Sequence, residues 1–236
     1  MQVLKDESDE GARRKMCDTV SEVARNLQDS DGNMSWDELL KFMFYCCKSG
    51  TAQHKESALS ILNSVPDIFG MDQHNYLSLI KDMLFASLND PDHPNVRFAA
   101  IRATCAFLME LEEEDAKRHF SDFLKPMLKG VEDCVIAEDD DGPLKSFVEL
   151  AEKIPKFLRP GVDQMMEFAL KVIGNTNFAD NWRQLVLELV VTVCEAAPAM
   201  IRKKVIITQR MRMTHSTDLG KLKLGKLKMW YLYKTH

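Results

Sequence analysis

Glycine and proline are scarce in this chain of 236 residues, at 10 and 8. That is too few for a collagen-like, linker-like or turn-rich all-β protein. No long hydrophobic run is present either. The longest apolar stretches, such as residues 185–194, are interrupted by Glu188 and fall short of the roughly 18 residues a membrane span needs. The N-terminus lacks an apolar segment and carries Asp6, Glu7, Asp9 and Glu10, which does not read as a signal peptide. The six cysteines (17, 46, 47, 105, 134 and 194) form no CxxC and no regular framework. Most sit inside apolar helical patterns, as expected of reduced, buried thiols in a cytosolic or nuclear protein.

Catalytic signatures are missing as well. There is no GxGxxG, GxxxxGKS/T, GxSxG or HExxH, the patterns that cradle phosphates, raise a nucleophile or hold zinc. The histidines and cysteines show no metal-ligand spacing, and adjacent Cys46 and Cys47 would diverge on a helix. Residues 29–33 (DSDGN) suggest a calcium loop, but such a loop needs Gly at position six and an acid at twelve. Counted from Asp29, Gly32 is fourth and Leu40 twelfth. The segment reads instead as a turn before a helix capped by Ser35, with Glu38 completing a capping box. No enzymatic activity, cofactor or metal is expected.

What is present is charge of two kinds, in two places. The formal net charge is −5, but residues 202–236 hold ten basic side chains against Asp218 alone, a charge of +9. The other 201 residues therefore carry −14. An acidic body repels nucleic acid and steers basic partners towards itself. In the tail, residues 221–228 alternate lysine with leucine or glycine, a pattern open to strand pairing, an anionic membrane surface or the acidic body. The reading favoured is a disordered tail.

Up to about residue 201 the hydrophobic period is that of amphipathic helices. Trp182, Leu185, Val186, Leu189, Val190, Val193 and Cys194 recur at i, i+3, i+4, i+7, i+8, i+11 and i+12, one apolar stripe. Tyr76, Leu79, Ile80, Met83 and Leu84 repeat it, as do Ala58, Leu59, Ile61, Leu62 and Val65. The helices come in pairs. Basic residues near the start of each second helix (Lys15, Lys55, Arg97, Lys145 and Arg183) are separated by 40, 42, 48 and 38 residues, the period of HEAT and armadillo solenoids. First helices are predicted near 35–47, 74–88, 116–133 and 161–173. Second helices are predicted near 12–28, 53–65, 95–110, 143–154 and 181–196. Pro66, Pro155 and Pro198 break the chain after second helices. The fold class expected is all-α, a right-handed α-solenoid of about five HEAT-type helical hairpin repeats over residues 11–204. An acidic lead-in over 1–10 precedes it and the basic tail over 205–236 follows.

The clearest repeat unit is residues 90–100 (DPDHPNVRFAA). It resembles the HEAT signature, in which a turn aspartate and an early arginine of the second helix join neighbouring repeats. Asp90, Asp92 and Arg97 take those places, with Asp180 and Arg183 as counterparts further on. Longer segments carry a more specific likeness: residues 13–32 (RRKMCDTVSEVARNLQDSDG), 66–70 (PDIFG), 119–128, 144–160 (LKSFVELAEKIPKFLRP) and 183–203. In order and spacing they resemble the importin-beta (karyopherin-beta) superfamily, nearest to its importin-5 or karyopherin beta-3 branch, from about residue 11 to 204. The resemblance implies a piece from the N-terminal third of a much longer nuclear import receptor. It also implies that the opening repeats, with much of the Ran-contacting surface, are missing, and that the tail is foreign to the family.

The resemblance further implies partners: basic cargo proteins on the concave face, Ran GTPase at an incomplete site, and Phe-Gly nucleoporins between first helices. No direct nucleic-acid or membrane contact is expected. The localisation implied is cytoplasm and nucleus, including nuclear envelope pores. Second helices line the concave face, so Asp18, Glu22, Glu56, Glu149, Glu152, Glu188 and Glu195 are the candidate partner-binding residues, through charge-assisted bonds to cargo Lys or Arg. The plain alternative is a solvated helix face. Acid-rich 110–115 and 138–142 read as solubilising loops rather than partner contacts. Met43, Met83, Met109, Met127, Met165 and Met166 read as packing rather than a nucleoporin groove. HEAT periodicity by itself also admits a static scaffold or regulatory subunit without Ran dependence.

Overall fold

The computed structural model describes residues 1–27, 36–70 and 73–201, and the side chains of 47–49 and 73–74 are left aside. The turn at 29–33, the Ser35 capping box and the tail from 202 therefore lie outside the described residues. Twelve helices are described: α1 (Gln2–Asp6), α2 (Glu10–Leu27), α3 (Asp37–Ser49), α4 (Ala52–Ser64), α5 (Gln73–Leu88) and α6 (Pro94–Met109), then α7 (Glu113–Phe120), α8 (Leu124–Ala137), α9 (Gly142–Lys153), α10 (Val162–Ile173), α11 (Asp180–Ala196) and α12 (Pro198–Ile201). No strand occurs among the described residues.

The helix pairs stack as a HEAT-type α-solenoid. The second helices of the hairpins, α2, α4, α6, α9 and α11, lie side by side in that order. Each of α4, α6, α9 and α11 also packs on the helix that precedes it, α3, α5, α8 and α10. Second helices begin at residues 10, 52, 94, 142 and 180, so the first two intervals are 42 residues and the next two are 48 and 38. Pro94 opens α6 and Pro143 sits in the first turn of α9, where a missing N–H costs nothing. The core follows the predicted stripes. Ala58, Leu59, Ile61, Leu62 and Val65 are all buried, as are Trp182, Val186, Leu189, Val190, Val193 and Cys194. Met43, Met83, Met127, Met165 and Met166 fill the same core.

Two features differ from the sequence reading. The helix predicted at 116–133 is broken into α7 and α8 by a 3₁₀ turn at Ser121–Phe123. Pro126 explains the break. It has no N–H for the Asp122 carbonyl, and its ring would clash within a continuous helix. Restarting at Leu124 places Pro126 in a first turn, where it is tolerated. The break also buries Phe120 and Phe123, whose rings meet edge to face at 5.0 Å, with Phe107 of α6 5.7 Å from Phe120. Secondly, the acidic lead-in, set ahead of the predicted helices, is itself partly helical. It forms α1, with Leu4 in the core, the Lys5 ammonium 4.1 Å from the Tyr45 ring centre, and the Lys5 carbonyl bonded to His54 Nε2 at 2.9 Å.

Candidate functional site

Second helices lying edge to edge leave a furrow along their free faces, and here it deepens into a groove of about 1020 Å³. Its walls come from α2, α4, α6, α11 and the loop joining α8 to α9. Seven carboxylates line it: Glu10, Asp18, Glu56, Glu138, Asp139, Asp140 and Asp141. Three arginines share it: Arg13, Arg14 and Arg102. Asn63, Asn95, Asn181 and Trp182 complete much of the rest. Residues about 42 positions apart meet here because the repeat length brings successive second helices into the same register.

The acidic loop is built into this wall. Glu138, at the end of α8, adopts φ 52°, the left-handed region, and its Oε1 accepts from the Ala179 N–H at 2.7 Å, just ahead of α11. Asp140 pairs with Arg102 of α6 and accepts from the Gly142 N–H at 2.9 Å, while its carbonyl accepts from the Cys134 thiol. The other acid-rich stretch is likewise organised. Glu113, Glu114 and Asp115 form the first turn of α7, favourable near a helix N-terminus. Glu113 accepts from the Lys156 N–H at 2.9 Å and ammonium at 3.0 Å. A solubilising-loop reading misses both ties, since the partners are 38 to 43 residues distant in sequence.

The predicted partner-binding residues divide between places. Asp18 and Glu56 face one another's helices in the groove. Glu22 lies one turn further along α2, in a shallower hollow of about 700 Å³ with Arg25, Asn26 and Ser64, and accepts from Arg25 at 2.8 Å. Glu149 and Glu152 on α9, and Glu188 and Glu195 on α11, are exposed on their helices outside the groove lining. Glu56 is half-buried. Burial raises its carboxyl above the usual carboxylate range, opposed by the charge of Arg13 and reinforced by that of Glu10. A carboxylate stripped of water in this way favours a cation beside it.

The predicted inter-repeat residues are arranged in a less uniform way than the signature suggests. Asp90 is buried, 5% exposed. Its Oδ2 accepts from the Lys55 ammonium of α4 at 2.8 Å. Its Oδ1 accepts from the Asp92 and His93 N–H groups at 3.1 and 3.0 Å and sits 2.9 Å from His93 Nδ1. Burial works to raise the Asp90 carboxyl, but Lys55, the His93 ring and those N–H groups outweigh it and hold it far below the usual range. Arg97 bonds to the Asp90 carbonyl at 2.9 Å and reaches Asp133 of α8 at 3.8 Å. The Asp90 carboxylate thus joins neighbouring repeats through Lys55 rather than through Arg97, and Asp92 enters by its backbone. Arg183 stays inside its own hairpin: it binds Asp180 at 2.9 Å and caps the Ile173 carbonyl at the end of α10 at 3.0 Å. Arg25 likewise caps the Ser64 carbonyl at the end of α4 at 2.8 Å.

Among the described residues, no group of three or more His, Cys, Asp or Glu side chains could hold a metal ion, and no helix is long and apolar enough to cross a membrane. The described thiols of Cys17, Cys46, Cys105, Cys134 and Cys194 are free and buried.

A family model described as IPO5-like, TPR repeats, matches residues 8–168. The chain belongs to this IPO5-like family, within the importin-beta superfamily. A second model, described as an importin repeat, matches residues 175–219. Helix pairs recurring near 42 residues are longer than the 34 of a TPR unit and fit the HEAT period. Importin subunit beta-3 of Saccharomyces cerevisiae is 27% identical over 193 residues, covering 80% of this importin-family chain and 17% of the yeast protein. Crystal structures of the karyopherin Kap121p bound to the SUMO protease Ulp1p and of Kap121p bound to Pho4p each share 25% identity at a TM-score of 0.72, covering 89% of this chain and 20% of theirs. Kap121p bound to RanGTP, at 24% identity and a TM-score of 0.71, shares the fold. The chain spans about a fifth of the length of these relatives.

Proposed function

We propose that this chain is a segment of a nuclear transport receptor whose second-helix layer binds a basic, extended polypeptide. The observation that carries the reading is the groove: seven carboxylates against three arginines, on three second helices and one anchored loop. Asp18 and Glu56 would take lysine or arginine side chains of the bound segment, with charge-assisted bonds as the source of affinity. Glu22, Glu149, Glu152, Glu188 and Glu195 would extend the same negative field along the stack. Family membership supports the transport role, and Kap121p, a relative in sequence and fold, is known bound to Ulp1p and Pho4p. Kap121p also binds Nup53p. Ran-GTP and Phe-Gly nucleoporins are proposed as further partners of the same receptor, acting in cytoplasm, nucleus and nuclear pores.

The test is a fluorescence-anisotropy titration of a Lys/Arg-rich import-signal peptide with the full chain, at ~50 and ~200 mM salt. A charge-reversed acidic peptide runs beside it. Saturable, salt-sensitive binding of the basic peptide alone is expected, weakened about tenfold or more by Asp18→Lys with Glu56→Lys. Equal binding of both peptides, or none by a folded chain, would overturn the reading and favour a scaffold that holds other proteins without a basic signal.

A further inference from the structure

Within an acidic groove, one cation is out of place. Arg13 lies on the face of α2 that packs against α4, in the stripe Arg13, Cys17, Ser21 and Ala24, and is only 4% exposed. Its Nη1 is buried with no hydrogen-bond partner, and no ion pair forms at its guanidinium among the described residues. The other two arginines of the groove are committed. Arg14 pairs with Glu10 at 2.5 Å, and Arg102 pairs with Asp140. Glu56 feels the charge of Arg13 but does not close on it. A buried guanidinium nitrogen without a partner is a costly arrangement in a folded protein. It is retained most readily where an anion from outside completes it.

We propose that Arg13 is the anchor of an anion subsite on the groove floor, taking an acidic oxygen group, carboxylate or phosphoryl, carried by the otherwise basic polypeptide bound there. This rests on the groove being the peptide site. Basic residues of the ligand would face Asp18, Glu56 and the Asp139–Asp141 wall, while one acidic side chain turns inward to the Arg13 fork. Planar, bidentate pairing suits guanidinium to either oxyacid. The groove therefore selects a mixed sequence, an acid set among bases, over a purely basic one.

The sign of the prediction separates it from simple charge attraction. In a site with seven carboxylates, adding a negative charge to a peptide should weaken binding by repulsion. With the subsite, it strengthens binding at one position. The experiment titrates the full chain with a Lys/Arg-rich peptide and a series in which glutamine, glutamate or phosphoserine is moved through each position. At one position the glutamate or phosphoserine peptide should bind about tenfold tighter than its glutamine counterpart. Whichever arm gains identifies the source of the anion. Arg13→Met, which keeps the side-chain stem, should abolish that preference while leaving or improving affinity for the glutamine peptide; circular dichroism checks that it folds. The wild-type comparison stands even if the variant does not fold. Should every acidic substitution weaken binding, the subsite is refuted and the basic-peptide groove survives. Should no peptide bind, both fall. Should Arg13→Met weaken all peptides equally, Arg13 is a packing residue only.

Discussion

The two layers of the solenoid obey different rules. Second helices form an unbroken series, α2 to α4 to α6 to α9 to α11, each in close contact with the next. In the layer of first helices, neighbours touch far less, and the long element between α6 and α9 is divided at Pro126. Within the 48-residue interval that layer carries an added helix, α7, and its 3₁₀ turn ahead of α8. A layer whose helices pack closer is the inner side of a curved stack. Inserting residues on the outer side leaves the inner register intact. The repeat period thus fixes the face that carries the acidic groove, while the outer face absorbs variation.

That contrast can be broken or sharpened by substitution. Phe147→Ala removes a fully buried ring from α9 and should cost about 3–5 kcal/mol, the usual range for a buried Phe. Phe85→Ala on α5 takes a ring 39% exposed, 5.2 Å from Phe123, and should cost about 1 kcal/mol. Thermal unfolding followed by circular dichroism compares them; equal losses would mean that the part-exposed Phe85 ring supports the stack as much as the buried Phe147 ring does.

Asp90→Asn is expected next in size. It leaves Lys55 and His93 facing a neutral amide, a loss of about 1.5–3 kcal/mol for a hydrogen-bonded charge. The effect should depend on pH with a definite sign. Asp90 is held below its unfolded value, so its contribution is complete above about pH 4, the ordinary aspartate range. It is lost as pH falls towards the depressed folded value. Urea midpoints of the two proteins should therefore converge below about pH 4, and a gap that widens in acid would contradict the assignment. The smallest effect is Arg102→Gln, which frees Asp140 from a half-exposed pair and should cost about 1 kcal/mol or less. Its mark should be local, seen as faster amide exchange at Ala179 and Gly142.

Most of the architecture was legible because local rules coincide with it. Apolar stripes at helical spacing, with Pro66, Pro155 and Pro198 between hairpins, place the predicted helices within a few residues of the observed ones. The break at Ser121–Phe123 was also written in Pro126, but the continuing apolar period masked it. The docking of α1 was not legible, since one buried Leu4 among charged neighbours leaves no period to read. In the site, Asp18 and Glu56 could be named from helix position alone. The 138–141 segment could not be assigned to the same wall, because its ties run to Arg102 and Ala179 across the stack. Arg13 carried a signal that went unused: it falls in register with Cys17, Ser21 and Ala24, which marks it as inward-facing.

The buried cysteines have a use that their chemistry alone would not suggest. They are distributed one to a hairpin: Cys17 on α2, Cys46 on α3, Cys105 on α6, Cys134 on α8 and Cys194 on α11. Burial pushes every one of these thiols up, Cys46 and Cys134 to about 12 and Cys194 to about 11. At neutral pH each is a protonated, shielded group that a maleimide reaches only when its own hairpin opens. Beside Cys47, they make the chain a ladder of native labels, and the order in which they react would report, hairpin by hairpin, where the stack gives way first.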